Sequence, residues 1–196
     1  MRKWFELGWK IGCIELSAKL CSLPNMLISP HDIENVHYEI LEYMDEMMLD
    51  SSKIADSKIE EYERIALEQI KSPNKAIKRQ LFLLGFYVVK LKMLMLNDLD
   101  NICDERRREL YEYICSIIDT LNLPESLKKI SLEECKETEF DRIEEAVKNN
   151  PSFDVDESVS RPNKRQNKTR IEVIVAIIVA LIAAAATIIA AIISKA

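Results

Sequence analysis

Residues 81–89 read Leu-Phe-Leu-Leu-Gly-Phe-Tyr-Val-Val, nine positions without a charge. Wound as a helix, this stretch is apolar on every side, which suits the centre of a bundle or a membrane. Lys90 and Lys92 follow at once, and the 16 residues from 81 to 96 are short and charged for a comfortable span. The stretch is therefore expected to be the buried central helix of a soluble bundle. A latent membrane-inserting element is the competing expectation.

Helical period and cap signals continue on both sides. A first helix is expected over about 3–22. A second starts at Ser29-Pro30, where serine can cap and proline suits the first helical position. Its stripe is Ile33, Val36, His37, Ile40, Leu41, Met44, Met47 and Met48. A third is expected over about 52–71, with Ile54, Ile59, Tyr62, Ile65, Ala66 and Ile70. The fourth, which contains residues 81–89, begins at Ser72-Pro73. A fifth is expected over about 98–121, capped by Asp98. A last follows Ser131, with Glu134 completing a capping box and Phe140, Ile143 and Val147 on one side. No stretch alternates as a strand would. Only 3 glycines and 6 prolines occur, which argues against hairpins and barrels. The fold class is all-α: a cytosolic bundle of five to six helices over residues 1–149, a flexible basic linker over 150–170, and a single transmembrane helix over 171–194.

The transmembrane expectation rests on Val173–Ile193, 21 residues without a charge. At 1.5 Å rise per residue such a helix is about 31 Å long, the thickness of a hydrocarbon core. Arg161, Lys164, Arg165, Lys168 and Arg170 precede it and only Lys195 follows, so the positive-inside rule places residues 1–170 in the cytosol. The five cations also form a collar suited to anionic headgroups. Ala176, Ala180, Ala183, Ala184, Thr187 and Ala191 share one helical face, whose small side chains would allow homo-oligomerisation in lipid. The first residues, MRKWFELGWK, lack a secretory signal, because Glu6 and Lys10 interrupt any apolar core. The whole chain carries a net charge of -6, whereas residues 1–160 hold 21 basic and 32 acidic groups.

Catalytic and cofactor signatures are absent from this reading. The three glycines, Gly8, Gly12 and Gly85, cannot build a phosphate loop or a dinucleotide fingerprint. Glu34 and His37 have the i, i+3 spacing of half a di-iron site, but His31 has Ile28 where the second glutamate would stand. Cys13, Cys21, Cys103, Cys115 and Cys135 form no C-x-x-C, and read as reduced, buried thiols. No enzyme activity, metal or cofactor is expected.

Recognition is expected at the surface instead. Asp32, Glu34, Glu39, Glu42, Asp45 and Glu46 fall on the second helix, within a stretch free of lysine and arginine from 20 to 52. Such a one-signed face steers basic protein partners and repels nucleic acid. A solvated helix face is the plainer reading. Met44, Met47 and Met48 add an adaptable apolar edge. Arg106–Arg108 is flanked by Asp104, Glu105 and Glu109, so local ion pairs explain it better than nucleic-acid binding. Trp4, Phe5 and Trp9 lie among Arg2, Lys3 and Lys10, a mixture suited either to core packing or to a membrane interface. No family resemblance reaches the level of residues. The expected function is a non-enzymatic adaptor module held at a membrane by its C-terminal anchor. The competing class is a membrane-active effector, of the defence or cell-death type, acting through residues 81–96 and the anchor.

Overall fold

The computed structural model describes residues 1–21, 29–96, 104–133 and 136–153. The described residues are helical throughout, with seven α-helices and no strand. These are α1 (Arg2–Cys21), α2 (Pro30–Glu46), α3 (Ser52–Ala55), α4 (Tyr62–Glu68), α5 (Lys75–Leu96), α6 (Asp104–Thr120) and α7 (Glu137–Asn149), with 3-10 turns at Ile59–Glu61, Glu125–Lys128 and Pro151–Phe153. Among them no helix is long and apolar enough to cross a membrane. The anchor (171–194), the collar cations Arg161, Lys164, Arg165, Lys168 and Arg170, and the linker from 154 lie outside the described residues. So do Asp98, Cys103, Glu134 and Cys135.

The run at 81–89 sits in the middle of α5. Leu81, Phe82, Leu84, Phe86, Val88, Val89 and Leu91 are all buried. Helices α1, α6 and α7 pack around it. The closest seam is with α1. A Cβ added at Gly8 would stand 2.0 Å from the Phe82 carbonyl oxygen, and one at Gly85 would stand 2.0 Å from that of Phe5. At Gly12 it would meet Val89 Cγ1 at 2.3 Å and the Phe86 carbonyl oxygen at 2.9 Å. All three glycines of the chain thus serve one helix crossing. The pairs Gly8 with Phe82, Gly12 with Phe86 and Glu15 with Lys90 advance together, so α1 and α5 run parallel.

Helix α2 packs on α1 through Ile40 and Met44. Its start is as the sequence reads: Ser29 Oγ accepts from the Asp32 amide at 3.2 Å, Asp32 Oδ2 accepts from the Ser29 amide at 2.9 Å, and Pro30 opens the helix. Its end differs. The helix stops at Glu46, and Met48 takes a left-handed backbone, φ 59°. The expected stripe therefore loses its last member, because Met48 turns out to solvent at 79% exposure.

Three other boundaries depart from the sequence reading. The expected helix over 52–71 divides into α3, a 3-10 turn and α4, separated by extended Lys58. Asp56 and Ser57 offer local polar alternatives to the helical ladder, and Ser57 Oγ donates to the Lys53 carbonyl at 2.5 Å. Ile54, Tyr62, Ile65, Ala66 and Ile70 still reach the core, which preserves the apparent period. The fourth helix starts at Lys75, two residues after Pro73, with Asn74 left-handed at φ 61° and its carbonyl accepting from the Lys78 amide. The last helix starts at Glu137. Glu139 takes the Ser131 amide at 2.9 Å, and the expected capping partner Glu134 lies outside the described residues. Its Phe140, Ile143 and Val147 are buried as the sequence implies.

Candidate interaction surfaces

Asp32, Glu34, Glu39, Glu42, Asp45 and Glu46 are all exposed on α2. They are not equivalent. Asp32 serves the helix start: hydrogen bonds from Ser29 hold its carboxyl below the usual range. Glu39 is a strut to α1, accepting from Lys10 Nζ at 2.8 Å. Glu34 is approached by Tyr38 Oη at 3.4 Å and His31 Nδ1 at 4.0 Å. Glu42, Asp45 and Glu46 meet no cation among the described residues. Tyr38, 59% exposed, stands one helical turn from both Glu34 and Glu42. The outer face of α2 thus combines carboxylates that meet no counter-ion among the described residues with an exposed aromatic ring.

The other acidic run is already engaged. On α7, Glu137 and Asp141 both pair with Lys92, at 3.0 and 3.6 Å, and Glu144 pairs with Lys148 at 2.5 Å. With Glu139 holding Ser131, that helix keeps little free negative charge for a partner. Arg106 pairs with Glu109 at 2.8 Å, in line with a local role for the arginine triplet.

The methionine edge divides. Met44 is fully buried, Met47 is half-buried and only Met48 is open. The aromatic residues of α1 lean inward. Phe5 and Trp4 are buried, with Phe5 inside the α1–α5 seam, and Trp9 is half-buried. Lys92 Nζ lies 5.6 Å from the Trp9 ring centroid.

His37 is half-buried, with Nδ1 2.7 Å from Tyr62 Oη, and ties α2 to α4. Among the described residues no cluster of metal-ligating side chains forms. Cys13, Cys21 and Cys115 are free thiols. Burial pushes the Cys13 thiol up to about 11, against the pull of Lys10 and Lys92, so it is a poor nucleophile at neutral pH.

One constellation escaped the sequence reading. Glu15 on α1 is 5% exposed, and its Oε2 accepts from Lys90 Nζ of α5 at 3.1 Å. Its Oε1 has no hydrogen-bond partner among the described residues. Lys90 also lies 3.9 Å from the Phe86 ring centroid. Burial lowers the Lys90 ammonium below its usual range, against the opposing pull of Glu15. Glu63 of α4 is near, its carboxyl raised by burial and lowered in part by Lys90. The available signal was a single acid, Glu15, between Ile14 and Leu16 on an apolar helix.

Comparison with protein-family models, with curated proteins and with solved structures finds no match.

Proposed function

We propose that the helical domain is a non-enzymatic interaction module, tethered to a membrane by residues 171–194 with its body on the cytosolic side. Its partner is a basic protein surface that docks on the outer face of α2. The observation that supports this reading is the set Glu42, Asp45 and Glu46, exposed and without cations among the described residues, beside exposed Tyr38. Such a face attracts a cationic partner at long range, and the tyrosine beside it supplies the apolar anchor that interfaces favour. Tethering would raise the local concentration of whatever it binds.

The test uses the full chain and a fluorescent oligolysine peptide as probe. Replacing Glu42, Asp45 and Glu46 by Gln, Asn and Gln is expected to weaken binding about fivefold to thirtyfold, at roughly 0.3–0.7 kcal/mol per exposed pair. Binding should also fall steeply with salt. Equal affinity of the variant and the parent chain would remove α2 as the docking face. The tether is tested separately, by flotation with vesicles and by whether protease leaves only a C-terminal fragment protected.

A further inference from the structure

Between α1 and α7 lies a cleft of about 190 Å³, lined by Phe5, Glu6, Trp9, Lys10, Glu144 and Lys148. Two carboxylates and two ammonium groups surround two aromatic rings, so the lining is neutral as a whole and strongly dipolar. A plain anion would face Glu6 and Glu144, and a plain cation would face Lys10 and Lys148. A ligand that carries both charges meets neither penalty. Each lining charge has an exchangeable partner: Lys148 holds Glu144 at 2.5 Å, Lys10 holds Glu39 at 2.8 Å, and Glu6 accepts from Tyr43 Oη. The two ion pairs are solvent-accessible and therefore weak, so a zwitterion can take Lys148 and Glu144 from each other, while Glu39, already 60% exposed, is released to water.

The aromatic floor has the matching property. Lys92 Nζ lies over the Trp9 ring, 5.6 Å from its centroid, so this indole already accepts one cation, and indole is the best aromatic acceptor of ammonium groups, quaternary ones included. At protein-like packing the volume suits a compact group of roughly ten non-hydrogen atoms, too small for a nucleotide.

We propose that this cleft binds a zwitterionic phosphate–ammonium group of the phosphocholine type. The ammonium lies against Trp9 beside Glu6 and Glu144, and the phosphate is held by Lys10 and Lys148. The ligand differs from the basic partner proposed for α2, and its binding does not depend on that reading. The group is carried equally by a bilayer headgroup and by a soluble phosphocholine ester.

The full chain, held in a choline-free maltoside micelle, is titrated with phosphocholine, with choline and with inorganic phosphate while Trp9 emission is followed. A Trp4→Phe background isolates that signal. Phosphocholine is expected to bind saturably in about the millimolar range, with choline and phosphate each at least about tenfold weaker. Glu144→Gln and Lys148→Gln, both outside the core, are each expected to weaken phosphocholine about fivefold. Vesicles of phosphatidylcholine, compared with vesicles of phosphatidylglycerol, then separate the two sources. Preference for the former assigns a lipid headgroup, and binding of free phosphocholine alone assigns a soluble ester. The proposal is overturned if no saturable response occurs, if either half of the ligand binds as well as the whole, or if the double Glu144→Gln, Lys148→Gln variant titrates like the parent.

Discussion

Met48 and Asn122 occupy the same position in two helix ends. In each, the residue's amide bonds back three residues, to Asp45 or Asp119, and the next amide bonds back five, to Met44 or Ile118. This cap requires a left-handed residue, and both comply, at φ 59° and 51°. Asparagine tolerates that conformation readily, whereas methionine adopts it only at a steric cost. Met48→Gly is therefore expected to raise stability by about 1 kcal/mol, read as a higher urea midpoint at unchanged slope. An unchanged or lower midpoint would mean that the Met48 side chain makes compensating contacts. The sequence carried no warning of this end. With no glycine or asparagine at 48, the apolar spacing simply ran on through it. A second consequence at this level concerns Glu15 and Lys90. Lys90→Met should cost about 3–5 kcal/mol, because it strands a buried carboxylate. Adding Glu15→Leu should restore most of that loss in a double-mutant cycle. Non-recovery would show that Lys90 acts through packing on Phe86. Glu63 adds a pH signature. Its carboxyl is raised in the folded state, chiefly by burial, so its contribution to stability is present at low pH and is lost as pH rises through the folded value. Glu63→Gln should thus stabilise at neutral pH, with the gain shrinking as pH falls toward the ordinary carboxylate range. A gain independent of pH would assign it to something other than that charge.

The α1–α5 seam shows how an element-level pattern can be legible without its partner. Gly8 and Gly12, spaced four apart, announce that a backbone approaches closely. Nothing in that spacing says whose. Gly85 alone, inside an otherwise bulky apolar run, marks the answering helix, and the reciprocal 2.0 Å clashes that an added Cβ would make at Gly8 and Gly85 identify the pair. Glycine inside a helix ordinarily costs about 0.5–1 kcal/mol relative to alanine, so Gly→Ala would stabilise each helix in isolation. Here the sign reverses. An alanine Cβ at 8 or 85 would meet backbone oxygen, which cannot rotate away, so each substitution is expected to lose at least about 2 kcal/mol. At Gly12 the nearest atom belongs to the Val89 side chain, so a smaller loss is expected there. Calorimetry of the three single variants gives the order, and stabilisation by any of them would mean that the helices separate freely. The boundaries that sequence missed have the same origin. Periodicity reports which residues face the core, and Ile54 from α3, Tyr62 and Ile65 from α4 and Ile70 from just beyond it do so as well as one continuous helix would. The outer face of α2 was legible as acid, but the different tasks of Asp32 and Glu39 depend on Ser29 and on Lys10, the latter 29 residues away.

At the level of the whole molecule, the two functional classes that the sequence left open make opposite demands on α5. A membrane-active effector must release residues 81–96 to lipid. An adaptor keeps them in place. In the folded domain Leu81, Phe82, Leu84, Phe86, Val88 and Leu91 belong to the same core as the buried faces of α1, α6 and α7. Release of α5 is therefore not a local event. It opens the glycine seam, unpairs Glu15 from Lys90 and exposes the apolar side of each neighbour, which approaches the cost of global unfolding. Small domains are stable by only about 5–15 kcal/mol. A carboxylate placed at fully buried Leu84 should consume most of that, so Leu84→Asp is expected to abolish the cooperative thermal transition. Leu83→Asp, one position along and half-buried, should leave a cooperative transition at a lower temperature. The matching functional measurement is dye retention by vesicles carrying the full chain. Tight vesicles at neutral pH, with residues 81–96 open to protease only when the domain unfolds, are expected if α5 is structural. Leakage by the parent chain, together with a folded Leu84→Asp variant that leaks less, would instead make α5 the effector element and the bundle its resting state.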